Sequence, residues 1–131
     1  MLCVLTLKGE NTMSEKRIGL IPCQGTSNVG MITNKVAVNV TDNEKVNMVC
    51  PLGLPLGIKS MVDKVNGYDH HIALNGCPMR CASKALEAAG VTEYEEIIVT
   101  SDFDIKKSKD MRDETGMELV EAKVSELIEK V

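Results

Sequence analysis

Four cysteines hold the chemistry open to this chain: Cys23 in IPCQGTSNVG, Cys50 in VNMVCPLGLPLG, and Cys77 and Cys81 in NGCPMRCASKALEAAG. Thiolates are soft donors, and four of them gathered in one place suit a tetrahedral Zn²⁺ or an iron–sulfur cluster. Two at the start of a helix suit thiol–disulfide exchange or sulfur transfer instead. Cysteine is also one of the residue types most often buried as a small hydrophobe. What separates these readings is whether the surrounding elements bring the four together.

Composition bounds those elements. The chain has 131 residues, 44% hydrophobic and 26% charged, enough for one domain with its own core. Its few aromatics are Tyr68, Tyr94 and Phe103, so the core must be aliphatic and a base-stacking platform is excluded. A formal net charge of −4 argues against nucleic acid, which asks for a basic stripe. No apolar run approaches the roughly 20 residues of a membrane span. The opening MLCVLTLKGENT lacks the length and the small-residue cleavage site of a signal peptide. A cytoplasmic location is therefore expected, where cysteines serve as metal ligands or redox groups more often than as disulfides. Residues 1–16 are expected to form a poorly ordered N-terminal extension, with Met13 as a plausible start, and 17–131 a single α/β domain. Cys3 falls in the extension and is given no role.

From Arg17 onward short apolar runs alternate with helical patterns. Strands are predicted over Arg17–Pro22, Val46–Cys50, His70–Asn75 and Glu95–Thr100. Helices are predicted over VGMITNKVAVNVT with Ser27 or Asn28 as N-cap, over KSMVDKVNG, and over PMRCASKALEAAG with Pro78 at its first position. A last helix repeats Met117, Val120, Val124, Leu127, Ile128 and Val131 behind a capping box of Thr115 and Glu118. This pattern predicts an α/β fold, an open and mostly parallel four-stranded sheet in order 2-1-3-4 with helices on both faces, Rossmann-like in its three layers.

In such a sheet Cys23, Cys50 and Cys77 each stand where a strand meets its following loop, 27 residues apart, about one strand–helix unit per interval. Those strand ends share one edge, the edge where open α/β sheets bind ligands. Cys81, one predicted helical turn past Cys77, joins them. Scattered structural cysteines have no reason to choose this pattern. The positive ends of the following helices favour thiolates there. QGTSNVG adds backbone N–H groups and hydroxyls at a helix N-terminus, so Gly25, Ser27 and Asn28 are candidates to hold a small anion or brace the site. It matches neither G-x-G-x-x-G nor a Walker loop, and Val29 supplies no cation for a C-x₅-R phosphatase loop. PLGLPLG reads equally as a lid or as a plain connector. His70 and His71 start the third strand, at the far end from Cys77, and are not expected as ligands. The methionines fall at core periodicities, and KKSKDMRDE, of mixed sign, reads as a solvated face.

With these residues in hand the chain resembles the DGC-domain family, described as zinc-binding. That family carries Asp-Gly-Cys with a second cysteine four residues on, here Asn75-Gly76-Cys77-Pro78-Met79-Arg80-Cys81 followed by ALEAAGV. IPCQGTSNVG and VNMVCPLGLPLG resemble its other two blocks, in the same order, and the resemblance runs from Arg17 to about Lys107. It implies a four-cysteine site of Cys23, Cys50, Cys77 and Cys81. The chain departs from the pattern at Asn75, which keeps the hydrogen bonding of an aspartate around the metal but not its charge. The expectation is a metal-binding protein with Zn²⁺ as cofactor, or alternatively an iron–sulfur cluster, in a structural, sensing or metal-handling role. The runner-up is a thiol redox or sulfur-transfer protein working through Cys77 and Cys81, against which stands the lack of a nearby histidine base. The expected partners are a metal ion and a small anionic ligand, with neither nucleic acid nor membrane, and self-association stays open.

Overall fold

The computed structural model describes residues 17–131, so the extension expected over 1–16, with Cys3, lies outside the described residues. The predicted alternation is present: β1 (Ile18–Pro22), α1 (Asn28–Val40), β2 (Val46–Met48), α2 (Lys59–Asn66), β3 (His70–Asn75), α3 (Cys81–Ala88), β4 (Glu95–Ile98), α4 (Val99–Phe103) and α5 (Met117–Glu129). The four strands pair in parallel in the order β2-β1-β3-β4, as expected.

Branched aliphatic residues explain the sheet. All five residues of β1 are buried, the mark of a strand covered on both faces. Ile18 and Leu20 of β1, with Ile72 and Leu74 of β3, face the layer of α1 and α5. Ile21 and Ala73, one position out of phase, face α2 and α3. The second layer is built with Ala73, Ala82, Ala85 and Ala89, small residues that let α3 lie close to the sheet. Each fully buried Leu or Ile is worth about 2 kcal/mol, and both layers are continuous aliphatic clusters that need no staple. Among the described residues no helix is long and apolar enough to cross a membrane.

The chain departs from expectation at four element ends. β2 stops at Met48, leaving Cys50 in the following turn. Val49 still donates to the Leu20 carbonyl at 2.9 Å, but Pro51 has no N–H with which to continue a ladder. β4 stops at Ile98 because Asp102 Oδ2 accepts the Ile98 amide at 2.9 Å and bends the chain into α4. α3 starts at Cys81, not at Pro78, because Arg80 sits in the left-handed region (φ 55°, ψ 44°), where a helix cannot pass. α5 is capped by Gly116 at φ 86°, and the predicted capping box does not form. The Thr115 hydroxyl is instead committed to Asp113 Oδ1 at 2.6 Å.

Candidate functional site

The strand order places the reversal of the sheet between β1 and β3, the point at which open α/β sheets form a crevice. Cys23 leaves β1 and Cys77 follows β3 on either side of it. The Cys23 loop is tied directly to the end of β3, the Cys23 amide donating to the Leu74 carbonyl at 3.0 Å.

The Cys23 loop is pinned to α1. Gln24 adopts φ 59°, and its amide donates to Thr33 Oγ1 at 3.2 Å. Ser27 is the N-cap, its Oγ accepting the Gly30 amide at 3.0 Å. Gly30 lies so close to Gly25 that a methyl group there would run into the Gly25 backbone. Asn28, buried, spends its side chain on the segment after α4: Nδ2 donates to the Lys106 carbonyl at 2.8 Å and Oδ1 accepts the Ser108 amide at 2.6 Å. That brace delivers Lys107, whose Nζ lies 3.6 Å from Cys77 Sγ. Ser27 and Asn28 therefore hold backbone in place, and their side-chain oxygens are already engaged.

Cys77 and Cys81 are joined by a turn rather than by a helical turn, with the Arg80 amide donating to the Cys77 carbonyl at 3.1 Å. Cys81 is the first residue of α3. Partial desolvation at the crevice pushes the exposed Cys81 thiol up, and the neighbouring charges of Cys23 and then Cys77 push it further, against an opposing pull from Lys84. Cys23, Cys50, Cys77 and Cys81 are all free thiols. Cys23 and Cys81 line a crevice of about 520 Å³ together with Gln24, Lys84 and the loop from Pro51 to Pro55. Cys50 is exposed beside that crevice, one residue before Pro51. Thr100 donates its amide to the Gly76 carbonyl at 3.2 Å, while its buried hydroxyl has no partner among the described residues.

Cys23 and Cys77 thus lie near enough to Cys81 to influence its thiol, and Cys50 stands at the rim. Among the described residues no three His, Cys, Asp or Glu side chains are grouped, as they stand, to grip a metal ion. Asn75 is fully buried beneath the start of α3, accepting from the amides of Ala82 and Ser83. His70 and His71 lie at the opposite end of β3, where His71 Nε2 bonds to the Val65 carbonyl at 2.6 Å. Lys107 and Lys84 carry no motif that marks them in the sequence. Lys107 lies in KKSKDMRDE, whose mixed signs read as a solvated face, and its one signal is position: a segment that follows β4 must also cross the carboxyl edge of the sheet.

A family model described as DGC domain matches residues 19–131. No curated protein and no solved structure matches the chain.

Proposed function

The chain belongs to the DGC-domain family, and from that premise we propose that it is a cytoplasmic metal-handling or metal-sensing protein that binds Zn²⁺ through Cys23, Cys77 and Cys81, with Cys50 as the fourth donor. The observation that carries this reading is that Cys23 and Cys81, from separate strand ends, line one crevice, with Cys77 opening the turn that leads to Cys81. The donor chemistry fits, since soft thiolates are the preferred ligands of zinc. Among the described residues the thiols are not grouped as they stand, so metal binding would have to turn the cysteine side chains toward one sphere.

The charge balance fits as well. Several thiolates on one Zn²⁺ carry net negative charge, and Lys107 on Cys77, Lys84 beside Cys81 and the N-termini of α1 and α3 offset it. Zinc here would supply a Lewis-acid centre or a transferable cargo, while the chain supplies donors and compensating charge. The exposure of Cys50 and Cys81 favours an exchangeable metal over a fold-building one. The two aliphatic layers stand without it.

A second reading has its own observation. Because Cys23 and Cys81 line the same crevice, a redox dithiol would be Cys23–Cys81 rather than the C-x₃-C pair.

Metal content of anaerobically purified protein separates the two. Wild type and His70→Ala should hold about one zinc per chain, and Cys23→Ser, Cys77→Ser and Cys81→Ser should lose it. Chelation should leave the thermal midpoint nearly unchanged. A wild type without stoichiometric metal sinks the zinc reading and leaves the dithiol, and visible charge-transfer bands would replace zinc by an iron–sulfur cluster.

A further inference from the structure

Beneath the Cys77–Cys81 turn runs a hydrogen-bond chain whose direction is determined at every link. The amides of Ala82 and Ser83 donate to Asn75 Oδ1 at 2.9 and 3.1 Å. Two N–H groups aimed at one atom identify that atom as the carbonyl oxygen, so the other end of the side chain is the NH₂. That NH₂ donates to Ser83 Oγ at 2.8 Å. The serine hydroxyl has one hydrogen, and with Asn75 acting as donor it goes to Glu96 Oε2 at 2.6 Å. The same carboxylate oxygen accepts from Arg80 Nε at 2.5 Å. Arg80 Nη2 reaches Tyr94 Oη at 3.2 Å, and Tyr94 in turn donates to Glu87 at 2.5 Å. Asn75 and Ser83 are both fully buried. Arg80 is the left-handed residue that ends the turn and starts the helix of Cys81.

We propose that Asn75 is a positioning residue for the thiol site: its amide, rather than a carboxylate, directs the chain Asn75 to Ser83 to Glu96 and so leaves Glu96 free to clamp Arg80 and hold the Cys77–Cys81 turn. An aspartate in place of Asn75 would still accept both helix amides, and its charge would suit the helix N-terminus. It could not donate, however. Its second oxygen would compete with Glu96 for the single hydrogen of Ser83, and the clamp on Arg80 would lose one of its anchors. The hydrogen-bond chain stands independently of what the thiols bind, whereas its consequence for zinc rests on the function proposed above.

The experiment is a carboxyl NMR titration of Glu96 in metal-free protein for wild type, Asn75→Asp, Ser83→Ala and the double variant. The Ser83 hydroxyl is the largest influence holding the Glu96 carboxyl below the usual range, with Arg80 adding to it. Ser83→Ala should therefore raise the Glu96 pKa, and Asn75→Asp should raise it too. Direct repulsion from the introduced carboxylate alone would make the two shifts add, whereas diversion of the Ser83 hydrogen makes the double variant shift by clearly less than their sum. Additive shifts, or a Glu96 unmoved by Ser83→Ala, overturn the chain. Should Asn75→Asp not fold, Ser83→Ala alone decides. In chelator competition Asn75→Asp should weaken zinc by about tenfold, and wild-type affinity in that variant overturns the positioning role. A wild type that binds no zinc overturns the metal reading alone, because the Glu96 titration is read on metal-free protein.

Discussion

The two ends of the same four strands differ in kind. At the amino end a cavity of about 660 Å³ opens between Asp69, His70, His71, Glu93 and Lys130. At the carboxyl end the crevice is smaller, about 520 Å³, and holds Cys23, Cys81 and Lys84. Volume alone would choose the first. The difference lies in the backbone around each. The amino-end loops have their left-handed residue at Gly90, a glycine that adopts φ 92° without strain, and His71 there is satisfied by the last turn of α2. The carboxyl-end loops carry left-handed Gln24 and Arg80, a near-contact of two glycines and two buried asparagines, Asn28 bracing a segment 80 residues away and Asn75 the start of α3. Such features cost free energy unless the surroundings compensate, and they concentrate where side chains must be held in register.

That contrast can be broken most forcefully at two glycines. Gly30→Ala should cost about 2–3 kcal/mol or more in urea unfolding, because the methyl meets the Gly25 backbone, which cannot move aside cheaply. Gly67→Ala, whose added methyl would lie 3.4 Å from the Lys64 carbonyl, should stay within about 0.5 kcal/mol. Equal tolerance at both would show that the two ends are built alike.

A smaller difference is expected between Asn28→Ala and His71→Ala. The first strands the Ser108 amide and the Lys106 carbonyl and should cost about 1–3 kcal/mol. It should also free Lys107, read as faster alkylation of the Lys107 amine. His71→Ala removes a single partly buried bond and should cost about 1 kcal/mol at most. A larger loss at His71 would reverse the assignment of the braced end.

The smallest effect is electrostatic. Ser83 and then Arg80 hold the Glu96 carboxyl below its usual range, so the folded state binds its proton less readily than the unfolded chain does. The stabilisation is fully present above the unfolded carboxylate value near pH 4.3 and fades as pH falls through the lowered folded value. Urea midpoints of wild type and Glu96→Gln should therefore differ at pH 6 and converge below pH 4. With the carboxylate about one-third exposed the difference should stay under about 1 kcal/mol. A gap that widens in acid would contradict the anchoring of Glu96.

The strand–helix alternation, the parallel order and the placing of Cys23 and Cys77 at strand ends were legible in the sequence. Each rests on many residues repeating one local pattern, so a single misread position does little harm. The element ends were less legible. Pro78 is a fair helix starter by composition, but the turn before Cys81 is decided by Arg80, whose left-handed backbone is held by Glu96, a residue of another strand. Thr115 and Glu118 spell a capping box, yet Asp113 captures the threonine hydroxyl first.

By itself, then, the sequence determined which elements form and which edge of the sheet carries the thiols, because hydrophobic periodicity and chain order act locally and redundantly. Only the tertiary structure decided that Cys81 shares a crevice with Cys23, and it alone made the contacts by which Lys107 reaches Cys77 and Asn28 and Asn75 hold the loops on which the cysteines and Lys107 stand. Those are single polar contacts made once, in one direction and at close range, between segments as much as 80 residues apart. No periodicity announces them. They exist only after the aliphatic layers have brought the loops together.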